Sequence, residues 1–313
     1  AILGTYSLVL FSLNSKKYLD RNYFPFFSKE GTILFNNIIM VVVCASVLLG
    51  TIYPLIVEAF TGNKISVGEP YYNTIIVPII MPAILIMGIG PLMSWGSKDK
   101  SKVIKKMLPS ILITLVTTII IFSIYKAYSF VGVIGIFLAF WIISNNIIMC
   151  FNKKEKTSNG MIVAHLGIGI LILGITGSSI WQEEKILKMK IGNETNIQKY
   201  IISFKDINEI RGKNYLALQG NFIVYDDQKK IITKLKPENR YYPIKNNFTT
   251  EASIHTNLAR DLYIVLGDGN INEGWTVRIY NNPLVIWIWI GSLTIFVGGL
   301  ISANNNLKKL KFL

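Results

Sequence analysis

The sequence has few of the residues on which soluble enzymes depend. Its 313 residues include only two histidines and two cysteines, and charged residues make up 16% of the chain. The cysteines, Cys44 and Cys150, lie in or at the end of apolar runs and form no C-x-x-C pair, so we expect small buried side chains. The chain also has no Walker loop, H-E-x-x-H, G-x-S-x-G or nucleophile triad. These absences argue against soluble nucleotide or hydrolase chemistry.

Long apolar runs are abundant instead. Hydrophobic residues make up 51% of the chain, and several runs reach the ~20 residues that cross a bilayer core. The sequence therefore predicts a polytopic α-helical membrane protein of about seven membrane segments, with an outward-facing β-rich domain between the last two. The segments are predicted at about 1–13, 34–57, 73–95, 108–124, 129–150, 161–181 and 284–302. The resulting domains are a helical region 1–181, a β-rich domain 182–283, the final helix 284–302 and a basic tail 303–313.

The net charge of +14 is distributed by loop. Every second connection between the predicted segments is basic, and the other short loops hold few cations. The basic residues of these loops and of the tail are Lys16, Lys17, Arg21, Lys29, Lys98, Lys100, Lys102, Lys105, Lys106, Lys153, Lys154, Lys156, Lys308, Lys309 and Lys311. Because positive loops stay on the inner side, we expect these loops in the cytoplasm or an organelle matrix, with 182–283 outside. The charge thus indicates orientation, and no nucleic acid partner is expected.

The outward region contains short runs typical of strands. Residues Trp275, Val277 and Ile279 alternate with polar neighbours, which predicts a small antiparallel sheet or barrel with one buried face. Turns are predicted at 226–227 and 267–269. The strand-like runs lie at 185–192, 199–204, 215–225, 230–236, 261–267 and 275–280.

The apolar segment 161–181, MIVAHLGIGILILGITGSSIW, carries His165. A histidine inside a membrane helix is costly without a partner, and this one lies roughly 7 Å inside the segment at 1.5 Å per residue. Small neighbours, Gly167 and Gly169 among them, would let another helix or a flat ligand approach the backbone. The residues alone leave two interpretations open: a histidine bonded to a neighbouring helix, with glycines that serve packing, or a metal or haem ligand.

A series of motifs in fixed order carries a family resemblance. The motifs are SKEGTILFNNIIM, Gly50-Thr51-x-Tyr53-Pro54, Gly68-x-Pro70-Tyr71-Tyr72-Asn73, Gly90-Pro91-x-x-x-Trp95, AHLGIGILILGITGSS, RYYPIKNNFTTEASI, RDLYIVLGD and WTVRIYNNPLVIWIWIGSLTIFVGGL. Over nearly the whole chain they resemble the C-terminal half of CcmF. This is the haem lyase family of the multi-component cytochrome c maturation pathway in many bacteria and some mitochondria.

The resemblance implies a role for His165. In the family, the histidine of the AHLG segment is one of two axial ligands of a stably bound haem b, so His165 is the expected ligand of a haem iron. Gly167 and Gly169 become candidates for packing against that haem. Two axial imidazoles suit electron transfer, and the haem b is expected to pass an electron to a second haem before that haem is attached.

The same resemblance implies partners that this chain does not contain. A membrane-anchored haem chaperone (CcmE-like) delivers the second haem. A thiol-handling subunit (CcmH-like) presents apocytochrome c, whose CxxCH cysteines receive it. The other axial ligand and a tryptophan-rich WWD segment belong to the N-terminal half of the same protein, where the catalytic residues are expected. The first run, AILGTYSLVLFSLN, reads as the end of a longer helix with no signal peptide, so we expect a fragment or one half of a split protein, active only with that half.

The remaining expectations concern the membrane in which the protein lies and the roles of residues in its outward region. We expect a multi-pass protein of the bacterial inner membrane with 182–283 in the periplasm, or alternatively of the mitochondrial inner membrane. His255 lies in the outward region but matches no ligand position of the family, so a surface or structural role is expected. Three stretches, 241–243, 249–251 and 260–263, could dock partners or could be turn and core residues.

Two other functions stay open at this stage. The chain could be a transporter with a broken helix at its substrate site, because one predicted segment contains Pro78, Pro82, Gly88, Gly90 and Pro91. That reading predicts an inverted repeat, which the sequence does not display, and gives no reason for a large outward domain. Alternatively, the chain could belong to a haem b electron-transfer subunit without ligase activity.

Overall fold

The computed structural model describes residues 2–15, 25, 27–93, 95–96, 100–125, 129–151 and 158–310, with backbone only at 2–3, 100, 102 and 306–310. Within these ranges the chain forms seven helices and ten strands. The helices are α1 Ile2–Asn14, α2 Lys29–Thr61, α3 Glu69–Ile89, α4 Lys100–Ile124, α5 Phe130–Phe151, α6 Asn159–Ile180 and α7 Val285–Leu310. The strands are β1 Glu183–Met189, β2 Glu194–Ile197, β3 Tyr200–Arg211, β4 Leu216–Tyr225, β5 Ile231–Leu235, β6 Glu238–Tyr242, β7 Asn247–Glu251, β8 Ser253–Thr256, β9 Arg260–Asn270 and β10 Gly274–Pro283.

Six helices of the described chain, α2 to α7, are long and apolar enough to cross a membrane. Helix α1 has 13 residues, fewer than the ~20 that a crossing needs. The predicted fold class is confirmed: a polytopic α-helical chain with a β-rich domain between its last two helices. Much of the predicted orientation signal falls outside the described residues, namely Lys16, Lys17, Arg21, Lys98, Lys153, Lys154, Lys156 and Lys311.

The chain divides into two compact units, Ala1–Met107 and Leu108–Leu313. In the first unit, α2 and α3 meet where Tyr71 lies against Gly50. The Tyr71 hydroxyl donates to the carbonyl of Ser46 at 3.0 Å. A Cβ on Gly50 would lie 2.7 Å from Cε1 of Tyr71, so this helix pair requires glycine there. Two of the motifs that carry the family resemblance therefore meet in this contact.

A second contact joins the other ends of the same two helices. The Ser28 hydroxyl caps α2 by accepting from the amide of Gly31 at 3.2 Å, as expected for serine at this position. The Glu30 carboxylate accepts from the amide of Gly96 at 3.1 and 3.2 Å. The Lys29 ammonium lies 5.2 Å from the ring centre of Trp95. The segment that follows α3 is thus held to the start of α2.

Helix α3 is continuous through both of its prolines. Pro78 and Pro82 lie inside Glu69–Ile89, and the helix ends in a 3-10 turn, Gly90–Leu92. Proline removes one backbone hydrogen bond and tends to kink a helix, but here the helical path persists. The unwound segment that the transporter hypothesis needs is not formed at these prolines.

The ten strands form a β-sandwich. One sheet has the order β1-β10-β9-β8, and the other has the order β2-β3-β4-β6-β7 with β5 also pairing with β4. All pairs are antiparallel. The prediction that Trp275, Val277 and Ile279 lie on one buried face is confirmed, because Trp275 is 4% exposed and the other two are fully buried. They pack against the other sheet, where Phe204 and Phe222 stack with ring centres 4.5 Å apart.

Two sequence-based expectations are wrong in detail. The turn at 267–269 is not a turn, because these residues continue β9 and the chain reverses after Asn270; the turn at 226–227 does form. Cys44 and Cys150 are exposed and unpaired rather than buried. A membrane helix is apolar on every side, so an apolar run does not reveal which side faces protein.

We expect Phe222→Ala to destabilise the sandwich by about 3–5 kcal/mol, the usual cost of removing a buried phenylalanine. Phe222 is 1% exposed and stacks on Phe204. Denaturant unfolding of the purified protein in detergent, followed by tryptophan fluorescence, measures the change. Ile231→Ala, at a side chain that is 53% exposed, is the control and should cost well under 1 kcal/mol. Equal losses in the two variants would contradict the core assignment.

Candidate functional site

His165 lies on α6, near the end of the helix that is far from the sandwich. It follows Asn159 by six residues, about 9 Å along the axis, and precedes Ile180 by about 22 Å. The residue is half-buried. Its Nδ1 atom is fully enclosed and has no hydrogen-bond partner in the described part of the chain. The imidazole therefore still lacks the partner that a polar group in a membrane segment requires.

One side of α6 is occupied by α7. Gly160, Gly167 and Gly174 recur every seven residues, which is close to two helical turns. All three face α7, where Gly160 and Gly167 lie against Gly298 and Gly291, and Gly174 lies against Ile288. A Cβ on Gly167 would lie 2.7 Å from the amide nitrogen of Ile295 and 2.8 Å from the carbonyl oxygen of Gly291. The two backbones are therefore in direct contact, as small residues permit.

The side of α6 that carries Gly169 is occupied by α5. A Cβ on Gly169 would lie 2.6 Å from Cγ1 of Ile143 and 3.2 Å from the carbonyl oxygen of Ala139. Neither Gly167 nor Gly169 leaves room for a flat group beside its Cα in this structure. We therefore assign both glycines to helix packing. A group bound at His165 would have to lie along the remaining sides of α6.

A buried polar stretch on α5 was missed by the sequence reasoning. Ser144, Asn145 and Asn146 are 4%, 2% and 2% exposed. The Ser144 hydroxyl lies 3.1 Å from that of Thr114 on α4, which links these two helices. The signal was present, since three consecutive polar residues within an apolar segment indicate interhelical bonding or function.

His255 lies on β8, in the sandwich, and is part of a structural cluster. Its Nδ1 atom is 3.4 Å from Nη1 of Arg260. Arg260 is 3% exposed, and its guanidinium lies 4.0 Å from the ring centre of Tyr200, a cation–π contact. This arrangement agrees with the structural role expected of His255.

The three outward stretches have different environments. Stretch 260–263 belongs to the core, because Arg260 and Leu262 are buried. Stretch 249–251 lies on β7, at the edge of its sheet. Stretch 241–243 begins with Tyr241, whose ring contacts that of Phe248 at an open cavity of about 710 Å³. A smaller cavity of about 440 Å³ is lined by Thr249 and Glu251 together with Tyr242, so two of the three stretches offer a concave surface for a partner.

The described residues contain no group of three or more His, Cys, Asp and Glu side chains that could hold a metal ion. A single imidazole cannot form a closed metal site by itself, whereas haem iron needs only one or two protein ligands. With no companion ligand in a cluster of this kind within the described chain, His165 fits an axial haem ligand better than a structural zinc site.

Taken with the fold, this arrangement defines a polytopic membrane protein with a β-sandwich between its last two membrane helices. Comparisons with known proteins identify the family. The family model described as the CcmF C-terminal beta-sandwich matches residues 180–283. The cytochrome c-type biogenesis protein CcmF of Escherichia coli (strain K12) is 33% identical over 302 residues, 94% of this chain and 46% of that protein.

Further relatives agree. CcmF of Pseudomonas fluorescens is 29% identical, over 92% of this chain and 45% of that protein. A solved structure of the cytochrome c haem lyase CcmF has the same fold, with a TM-score of 0.67 at 20% identity, over 88% of this chain and 46% of that one. The chain therefore belongs to the CcmF family of cytochrome c-type biogenesis proteins. It spans about half the length of the curated relatives it matches.

We expect Gly298→Val to loosen the contact between α6 and α7. A Cβ on Gly298 would lie 2.7 Å from the carbonyl oxygen of Gly160, whereas a Cβ on Gly299 would have no atom of the described residues within 4 Å. Forcing a side chain into a packed contact costs typically ~1–3 kcal/mol. Thermal unfolding in detergent should therefore show a clear loss for Gly298→Val.

Gly299→Val is the matched control, with the same change of side chain one position along the same helix. It should stay near the wild-type melting temperature. If both variants melt alike, the α6–α7 contact does not contribute in the way its geometry indicates.

Proposed function

We propose that this chain is the C-terminal part of a haem lyase, or cytochrome c synthetase, which attaches haem covalently to the CxxCH cysteines of apocytochrome c. The observation that carries the proposal is His165, an intramembrane histidine whose Nδ1 atom has no hydrogen-bond partner among the described residues. It lies in the AHLG segment of a chain whose relatives are cytochrome c-type biogenesis proteins. Activity of the whole enzyme requires the N-terminal half, with its second axial ligand.

His165 is proposed to hold the iron of a resident haem b, together with a second histidine from the N-terminal half. A haem with two axial imidazoles supplies electron transfer. The chain itself supplies a fixed imidazole. Backbone contacts with α7 at Gly167 and side-chain contacts with α5 at Gly169 prevent α6 from rotating, so the ring direction is set by helix packing.

The sandwich is proposed to face the periplasm, or the intermembrane space if the protein is mitochondrial. There it would meet the CcmE-like haem chaperone and the apocytochrome c presented by a CcmH-like subunit. The Tyr241–Phe248 cavity is the proposed docking surface, because aromatic rings and the charged residues Glu209 and Arg211 line it together, as in transient interfaces.

Thioether formation explains why positioning is the main contribution expected of such a protein. A cysteine thiol adds across a haem vinyl group: a sulfur–carbon bond forms, and the thiol proton ends on the neighbouring vinyl carbon. Nothing leaves and no net oxidation occurs, so the barrier depends on holding thiol and vinyl together. A rigid platform held by a pair of helices suits that requirement.

The two alternative functions differ in how the structure bears on them. The continuous path of α3 through Pro78 and Pro82 argues against a broken helix at these two prolines, whereas Gly90 and Pro91 form the 3-10 turn at its end. A haem b electron-transfer subunit would use the same His165, so only the covalent product separates it from a lyase.

We expect His165→Ala, in the complete assembly purified in mild detergent, to lose the low-spin haem b spectrum, because the iron loses an axial ligand. Cells that carry this variant should accumulate apocytochrome c and form little covalent c-type haem, measured by haem staining of denatured protein. A lost spectrum with normal covalent haem would indicate a haem protein that is not the lyase.

His255→Ala is the control, because His255 lies in the sandwich beside Arg260. It should keep the haem b spectrum. An unchanged spectrum in His165→Ala would remove the ligand assignment.

Orientation has its own test. A reporter enzyme that is active only outside the inner membrane should be active when fused after Gly220, which lies on β4. The same reporter should be inactive when fused after Lys102, at the start of α4, where the basic residues are expected on the inner side. The opposite pattern would reverse the proposed topology.

A further inference from the structure

The contacts between α5 and α6 define the register of the two helices, that is, which residue of α5 lies opposite which residue of α6. A Cβ on Gly132 would lie 2.6 Å from Cγ2 of Ile180, and a Cβ on Gly169 would lie 3.4 Å from Cγ2 of Ile142. As positions on α5 advance, their partners on α6 recede, so the helices are antiparallel. The pairing can therefore be continued turn by turn.

One turn beyond the Ile142–Gly169 contact, the register brings two polar residues to the same level. Asn146 follows Ile142 by four residues, and His165 precedes Gly169 by four. Residues four apart lie on the same face of a helix, one turn from each other. Asn146 is thus on the side of α5 that faces α6, opposite the turn that carries His165.

Both residues carry a buried atom without a partner. Asn146 is 2% exposed, and its Nδ2 donates to the carbonyl of Ile142 at 2.8 Å. Its Oδ1 remains enclosed without a hydrogen bond to the described residues, as does Nδ1 of His165. Leaving a buried acceptor and a buried donor unpaired costs ~1–3 kcal/mol each. Pairing the two atoms removes both costs.

We propose that Asn146 is the positioning residue of His165, with Oδ1 of Asn146 accepting a hydrogen bond from the Nδ1–H of the imidazole. The helix register already places both residues at the same position along the α5–α6 pair, so the two side chains need to turn toward each other to form the bond. A proton held on Nδ1 leaves the lone pair on Nε2, which is then the nitrogen available to a metal. The role toward haem iron rests on the proposed function; the hydrogen bond and the tautomer do not.

Asn145 provides a matched control. It is also 2% exposed, and its Nδ2 donates to the carbonyl of Trp141 at 2.8 Å. Its Oδ1 is likewise enclosed and has no hydrogen bond to any residue that the structure describes. One residue corresponds to about 100° of rotation around the helix. Asn145 therefore has the same chemistry as Asn146 but lies off the side that faces α6.

The first test reads the tautomer directly. Nitrogen NMR of 15N-histidine-labelled, haem-depleted assembly in lipid reports which ring nitrogen carries the proton, with His165→Ala used to assign the signal. We expect the proton on Nδ1 in the wild type and in Asn145→Leu, and loss of this preference in Asn146→Leu. A proton on Nε2 in the wild type would overturn the proposal.

The second test uses the haem-loaded assembly. Removing an outer partner of a metal-binding histidine typically weakens metal binding by about 10–100-fold, so we expect a haem affinity at least about 10-fold lower in Asn146→Leu. The haem midpoint potential should also rise, because a less basic imidazole stabilises ferric iron less. Asn146→Asp, which keeps an oxygen acceptor, should restore the affinity, and Asn145→Leu should leave both values unchanged.

The outcomes separate this inference from the proposed function. Equal behaviour of Asn146→Leu and Asn145→Leu in both tests would overturn the positioning role, even if His165→Ala loses its haem. Retention of haem in His165→Ala would remove the ligand role, while a proton on Nδ1 that depends on Asn146 would still support the hydrogen bond. Size-exclusion chromatography identifies any variant that fails to fold, and Asn146→Asp then carries the comparison.

Discussion

The direct backbone contact between α6 and α7 is the constraint on which the second unit of the chain depends. Glycines at seven-residue spacing leave no room for a Cβ between the two backbones, so the helices approach each other closely. The sandwich is inserted between these helices, so their contact brings its two ends together. Its first and last strands, β1 and β10, pair with each other from Glu183 and Asn281 onward. The paired helices α6 and α7 therefore lead directly into the paired strands β1 and β10, with only short connections between them.

The same packing determines what His165 can do. Helix α7 covers one side of α6 and α5 covers another, so the imidazole is held on a helix that cannot turn. The small residues that made the segment look like a surface for a flat ligand are used for helix contacts instead. What remains for ligand binding is the ring itself and whatever fixes its tautomer, for which the buried carboxamide of Asn146 is the candidate.

The sequence predicted the elements that depend on hydrophobic pattern and missed those that depend on pairing. Membrane helices and the six apolar strands were found because burial leaves a period in the sequence. Strands β2, β6, β7 and β8 were missed. Their sequences, ETNI, ENRYY, NFTTE and SIHT, have little hydrophobic alternation, and they form by pairing with β3, β4, β6 and β9. His165 was identified as a candidate ligand because it is a histidine within an apolar membrane segment. The sequence did not reveal which neighbouring helix Gly167, Gly169 and Asn146 face. A helix that is apolar on every side gives no indication of which helix packs against each side.

The seven-residue glycine spacing also has a mechanical consequence. Two helices in such close contact cannot slide by small steps, because any intermediate position would bring a larger side chain against backbone. The next matching alignment is a whole repeat away, about 10 Å along the axis. The sandwich therefore stands at a fixed height above α6 and α7. A partner that binds the far end of the sandwich must therefore extend that distance from the membrane helices, since the sandwich cannot move closer to them.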